Sequence, residues 1–499
     1  MIPKHTIFLV PQVHNYYSSI FLVSLALSSF TFHTSRIFQK YIYFIFLNTL
    51  SLLNLIFFPF FGKKMGSEKM MKINIKESTL VKPSKPTPTK RIWSSNLDLI
   101  VGRIHLLTVY FYKPNGSSSF FDNKVMKEAL SNVLVSFYPM AGRLARDEQG
   151  RIEVNCNGEG VLLVEAESDS CIDDFGDFTP CLELRKLIPS VETSGDISTF
   201  PLAIFQVTHF KCGGVALGGG VFHTLSDGLS SLHFINTWSD IARGLSVAIP
   251  PFIDRTLLRA RDPPTSSFEH VEYHPPPTLN SSKKGESTGP KSSTTAMLKF
   301  SSEQLGLLKS KSEHEGSTYE ILAAHIWRCT SKARGLPNDQ LTKLHVATDG
   351  RSRLCPPLPP GYLGNVVFTA TPIAKSCELQ SEPLKNSVKR IHNELIKMDD
   401  NYLRSALDYL ELQPDLSTLI RGPTYFASPN LNINSWTRLP VHECDFGWGR
   451  PIHMGPACIL YEGTIYIIPS PNTKDRNLRL AVCLDADHMP LFEKYLYEF

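Results

Sequence analysis

Acidic side chains are absent from residues 1–64, and cysteine is absent before residue 156. The ten cysteines beyond that point form no Cys-x-x-Cys pair and follow no regular spacing. That pattern excludes a disulfide framework. It predicts reduced, mostly buried thiols in a cytosolic compartment. No repeat recurs along the chain, which excludes a solenoid or propeller. A basic surplus is missing too, once the first segment is set apart. The whole chain has 51 Lys/Arg and 47 Asp/Glu, net +4. Five of the basic residues (Lys4, Arg36, Lys40, Lys63, Lys64) lie in residues 1–64, so the remainder carries 46 against 47 and is net −1. Charge therefore gives no sign of a nucleic-acid partner.

What residues 1–64 do contain is aromatic and apolar: 11 of the 30 phenylalanines. Tyr41 to Phe61 is an uncharged run of 21 residues closed by Lys63-Lys64, long enough to span a bilayer. The earlier run, Ile20 to Phe32, is too short and lies too far from the N-terminus for a signal peptide. Two expectations follow. Either residues 41–61 anchor the protein to an endomembrane, or residues 1–64 are upstream sequence and a cytoplasmic protein starts at Met65.

From Lys72 onward roughly 430 residues remain, too many for one core. Helical and strand patterns alternate in both halves. The fold class expected is therefore α/β (α+β), with two similar-sized domains, each a mixed sheet with helices. The first spans residues 65–261 and the second residues 295–499. Residues 262–294 join them as a crossover loop marked by Pro263-Pro264 and Pro275-Pro276-Pro277. Its lysines Lys283, Lys284 and Lys291 read as parts of a solvated polar loop.

One stretch organises the rest: Gly218-Gly219-Gly220-Val221-Phe222-His223-Thr224-Leu225-Ser226-Asp227-Gly228. Leu202 to Phe210 reads as a strand, and a hairpin turn at residues 211–214 leads into a second strand ending at His223. Leu229, Leu232, Phe234, Ile235 and Trp238 then recur at helical spacing. The glycines are expected at a tight bend. His223 thus sits on a strand-to-helix turn, with Asp227 one helical turn away. A lone histidine in an apolar run is more often a hydrogen-bonded core residue. The whole string His-x-x-x-Asp-Gly after a glycine run favours a general base instead. No Gly-x-Ser-x-Gly elbow surrounds Ser226, no Gly-Lys-Ser/Thr follows the glycines, and no second ligand stands at zinc spacing. Metal is therefore not expected.

A second tight motif is Asp445-Phe446-Gly447-Trp448-Gly449. Together with His223-Thr224-Leu225-Ser226-Asp227-Gly228, it resembles the plant BAHD acyltransferases from about Met71 to Phe499. Tyr138 to Arg143, Asp349 to Asn365, Tyr402 to Arg421 and Ser435 to Pro440 are further similar to the family's hydroxycinnamoyl-CoA shikimate/quinate transferases. The resemblance implies two domains with an active-site channel at their interface and a monomer. It also implies an acyl-CoA co-substrate, with no bound cofactor. His223 would be the base and Trp436 the oxyanion donor. Asp445 stands beside them as a catalytic residue or as the support of its own loop. Asp227, Gly228, Gly447 and Gly449 would shape the site, with Asp227 paired to Arg351 or Arg353.

Arg421 would hold the acceptor's carboxylate, and Asn434, His105 and Tyr110 would line the acceptor pocket. The chain departs from the shikimate pattern at Thr224, at Leu106-Leu107 and at Asn434. Those departures lead to quinate as the expected acceptor, giving chlorogenic-type esters, with shikimate as the alternative. An inactive family member, or a membrane-anchored scaffold, is the reading from another class.

Overall fold

The computed structural model describes residues 71–279, 292–472 and 475–499. The run 41–61, the start at Met65 and Lys283, Lys284 and Lys291 lie outside these residues. Among the described residues no helix is long and apolar enough to cross a membrane.

Two large sheets carry the architecture, with eleven α-helices among the described residues. The first sheet has six strands in the order Ile73–Val81, Val161–Ser168, Ala203–Phe210, Val215–Phe222, His105–Tyr112 and His453–Pro456. Helices Asn123–Ser136 and Gly228–Ala242 pack on one face through Met126, Leu130, Phe234 and Trp238. The second sheet runs Val367–Ala370, Leu341–Asp349, Leu431–Ser435, Thr464–Pro469, Leu478–Asp485 and Ser293–Phe300, with Ile373–Lys375 beside the second of these. Helices Thr318–Ala333, Leu384–Ile396 and Asp400–Glu411 cover one of its faces. Ser317 and Glu320 form a capping box: each side chain accepts from the other's backbone N–H.

The hairpin 203–210/215–222 forms as expected, and a turn at 223–227 leads into the helix. The glycines do something other than bend the chain, because all three lie inside the strand. A Cβ on Gly218 would stand 2.0 Å from the Leu187 carbonyl oxygen, and one on Gly219 would stand 2.2 Å from the Phe205 ring. They let neighbouring chain press against the sheet. Asn157-Gly158, a pair common in hairpin turns, closes no hairpin here, since 152–155 pairs in a small sheet with 91–93 and 143–146, while 161–168 enters the first large sheet.

The crossover is not a solvated linker where it is described. Arg261, Thr265 and Ser267 bond to Asp408 and Ser405 on helix 400–411, and His270, Glu272 and Tyr273 are buried. Nor does the C-terminal half stay with its own sheet. Residues 453–456 form the edge of the first sheet, and Val441, Cys444 and Phe446 sit in its core. Only four of the ten cysteines (Cys156, Cys329, Cys444, Cys483) are buried, fewer than expected. The others lie on turns and element ends.

Gly218→Ala is expected to destabilise the protein by about 1–3 kcal/mol, because the added methyl meets backbone that cannot yield. Gly228→Ala should stay within about 0.5 kcal/mol, since the nearest atom to its Cβ is 3.9 Å away. Urea unfolding of the two variants beside the parent checks both.

Candidate active site

The turn carrying His223 is held by its backbone carbonyls. Asn365 Nδ2 donates to the His223 carbonyl at 2.8 Å. Arg255 donates to those of Leu225 (2.5 Å) and, more weakly, Thr224 (3.5 Å). The His223 N–H donates to the Ile104 carbonyl, 2.8 Å away, at the start of the neighbouring strand. The imidazole itself makes one long contact, Nδ1 to the Ser226 carbonyl at 3.4 Å. A carbonyl can only accept, so this contact places the proton on Nδ1 and leaves the Nε2 lone pair free. Burial lowers the His223 pKa below its ordinary value of 6.5, partly opposed by Asp227 and reinforced by Arg421. The ring is therefore neutral at physiological pH.

Asp227 is buried and points away from that chemistry. It caps the helix by accepting from Ser230 N–H (3.0 Å), accepts from Val366 N–H (3.0 Å), and forms a bidentate pair with Arg351 at 2.8 and 3.0 Å. Burial alone would raise its pKa, but Arg351 and these hydrogen bonds more than offset that, and the net shift is downward. Arg353 instead donates to the carbonyls of Leu395 and Met398. Gly228 has space for a side chain, so its glycine is not required sterically.

Three residues of this clamp escaped the sequence reading. Asp98, fully buried, pairs with Arg255 (3.1 Å), which is 1% exposed. The Asp98 carboxylate also accepts from Asn365 N–H and Nδ2, both at 2.9 Å. Asp98, Arg255 and Asn365 therefore form one network around the His223 turn. A faint signal existed in Ser95-x-x-Asp98, which reads as a capping box, and the structure contains it.

Trp436 follows strand 431–435 and packs against the first sheet's core and a small cluster of Met297, Ile468 and Ala481, its ring 5.0 Å from Tyr466. Its indole N–H donates to no described residue. The turn it begins lies against helix 228–242: Asn236 Nδ2 donates to the Pro440 carbonyl, and Leu439 approaches Gly228. Asn434 is half-buried on the same strand, with no hydrogen bond to its amide. Arg421 is half-buried. Its backbone N–H is held by the Ile100 carbonyl, its Nη2 is buried without a partner, and its charge is felt at His223. Among the described residues no carboxylate pairs with it. Tyr110 is buried with its hydroxyl unpartnered, and burial raises its pKa. His105 is less available than expected. Its Nε2 donates to the Pro201 carbonyl at 2.9 Å, its ring packs on Phe222, and burial lowers its pKa to about 4.

Asp445 is not brought to His223. Cys444, next to it, accepts from the Tyr112 hydroxyl at one end of strand 105–112, whereas His223 adjoins the other end. Seven steps of about 3.3 Å separate those ends. Asp445 Oδ1 accepts from the N–H groups of Gly447 (2.8 Å) and Gly449 (2.9 Å), both at positive φ. It shapes its own loop, while Phe446 anchors that loop among Tyr112, Phe121 and Trp238. The positive φ at both glycines explains why side chains are disfavoured there.

Residues 71–499 match the Transferase family. Shikimate O-hydroxycinnamoyltransferase of Nicotiana tabacum is 59% identical over 436 residues, covering 86% of this chain and 100% of that protein. Hydroxycinnamoyltransferase of Narcissus pseudonarcissus is 58% identical over 436 residues with the same coverage. Among solved structures, vinorine synthase superposes with a TM-score of 0.65 at 22% identity, covering 84% of this chain and 96% of that one.

Asp98→Asn leaves the Arg255 charge buried without its partner and should cost about 3–5 kcal/mol of stability, read by urea unfolding. Asp445→Asn keeps an acceptor oxygen for Gly447 and Gly449, so its turnover should stay within about fivefold of the parent, well above that of Asp445→Ala. Equal loss in both variants would mean that the charge itself matters.

Proposed function

Because this chain belongs to the Transferase family of BAHD acyltransferases, we propose that it transfers a hydroxycinnamoyl group from a CoA thioester to a hydroxyl of shikimate. The observation that carries the chemistry is the neutral His223 ring, with Nδ1 turned to the Ser226 carbonyl and Nε2 free. An alcohol attacks a thioester poorly until its proton is leaving. Nε2 takes that proton as the oxygen bonds to the acyl carbon. The carbonyl oxygen becomes an oxyanion, and the unpartnered Trp436 N–H stabilises it. The carbon–sulfur bond then breaks, and the CoA thiolate recovers the proton from His223. No enzyme-bound acyl group forms. CoA thioester is the co-substrate, and no metal takes part.

Arg421 supports an acceptor bearing a carboxylate, since Nη2 of its guanidinium is buried without a partner among the described residues. Similarity to the tobacco shikimate enzyme along the whole body favours shikimate over the quinate expected from Thr224, Leu106-Leu107 and Asn434. Thr224 is 2% exposed inside the clamped turn, which weakens its part in choosing the acceptor. Quinate remains a second reading on one observation. The free amide of Asn434 suits the extra hydroxyl that quinate has and shikimate lacks.

Initial rates on the full chain with p-coumaroyl-CoA and either acid check this reading. Shikimate should be the faster acceptor, and His223→Ala should lower kcat/KM by about 10²–10⁴. Faster turnover of quinate would shift the choice to Asn434, and activity surviving in His223→Ala would sink the base. With the His223 pKa lowered, the base stays unprotonated as pH falls to 6.5. The acidic limb of the kcat/KM profile should therefore lie below pH 6.5, and a limb above it would contradict the assignment.

A further inference from the structure

The second sheet has two unlike faces. Leu344, Val346, Leu431, Ile433, Ile465 and Ile467 point into the helix-covered core. By strand alternation, His345, Asn432, Asn434 and Thr464 share the opposite face. The register sets them side by side: His345 pairs with Asn432, and Asn432 with Thr464. His345 is 1% exposed, and neither ring nitrogen has a hydrogen-bond partner. The Thr464 hydroxyl is orphaned in the same way. Buried polar atoms are nearly always paired, so orphans gathered on one face point to a missing ligand. The same face reaches solvent farther along its strands, where Ala347, two residues beyond His345, is exposed and Asn434 is half-buried.

His345 and Arg421 meet at one ring. The imidazole packs on Tyr425 at a tilt of 31° with centroids 4.2 Å apart, and the Arg421 guanidinium lies 5.5 Å from the same ring. That packing accounts for the His345 ring but not for its nitrogens. Burial, with Arg421 and Lys343 nearby, holds the imidazole neutral, so it offers one N–H. Lys343 itself is committed to the carbonyls of Val271 and His274. The Tyr425 backbone lies near the imidazole and raises its pKa slightly, but neither ring nitrogen reaches hydrogen-bond geometry with it, and Arg421 Nη2, beside the same Tyr425 ring, is also without a partner among the described residues. We propose that His345 is a second ligand of the acceptor's carboxylate, donating its N–H beside Arg421 and thereby setting which end of the acceptor faces His223.

This role rests on the reading of the acceptor as a carboxylic acid, and the two can fail separately. His345→Phe keeps the packing on Tyr425 and removes both nitrogens. The readout is kcat/KM for shikimate divided by kcat/KM for its methyl ester, at saturating p-coumaroyl-CoA. The ratio should fall about tenfold in His345→Phe. The change should appear in the KM for shikimate, with the KM for the thioester unmoved. His345→Gln restores an N–H donor and should recover at least a third of the parental ratio, which covers the case in which the Phe variant fails to fold. An unchanged ratio in the folded Phe variant, with the parent still preferring the acid, overturns the role of His345 alone. A parental ratio near one overturns the carboxylate reading and this role with it.

Discussion

The buried pair Asp98–Arg255 is the constraint on which the candidate active site depends. Both groups have left water, and each such transfer costs several kcal/mol. The cost is offset because neither is idle. Asp98 accepts from Ser95, Asn365 and Arg255, and Arg255 turns Nη1 and Nη2 to the carbonyls of the turn behind His223. An apolar replacement could match the pair for stability but could not hold those carbonyls. The second pair, Asp227–Arg351, pins the far end of the same turn and the start of the helix. The histidine ring, with a single long contact of its own, is positioned almost wholly through its backbone.

That division explains what was legible from residues alone. The turn and its flanking strand and helix are local events, written within a few positions of one another. Asp227's partner was narrowed to two arginines, and Arg351 is the one that reaches it. Asp98, Arg255 and Asn365 stood out less because an isolated aspartate, arginine or asparagine has no distinguishing pattern. Only folding brings positions 98, 255 and 365 together. The glycine run was noticed but misread. Spacing shows that side chains are missing there, not whether the backbone turns or a neighbour presses close. Asp445 shows the same limit. Its motif was clear, but its distance from His223 follows from which end of strand 105–112 each adjoins.

The residues proposed for the acceptor are held differently. The base comes from the first sheet, while Trp436, Asn434 and Arg421 come from the second half. Their polar atoms are left open where those of the His223 turn are closed. On the function proposed above, the clamped His223 turn and these open groups would serve different ends of the reaction. Discrimination among acids and alcohols can change at those groups, by single substitutions, while the clamped turn stays as it is.

The strand 453–456 has a consequence for how such proteins can diversify. It completes the first sheet from late in the chain, and the Asp445 loop and Phe446 travel with it. Recombination between two relatives within residues 280–291 would therefore not exchange a self-contained half. The incoming C-terminal segment would bring a foreign edge strand and a foreign aromatic plug for the resident first sheet. Crossovers can succeed only between chains that already agree at that seam. Inheritance of new acceptor residues is thereby confined to close kin or to point change.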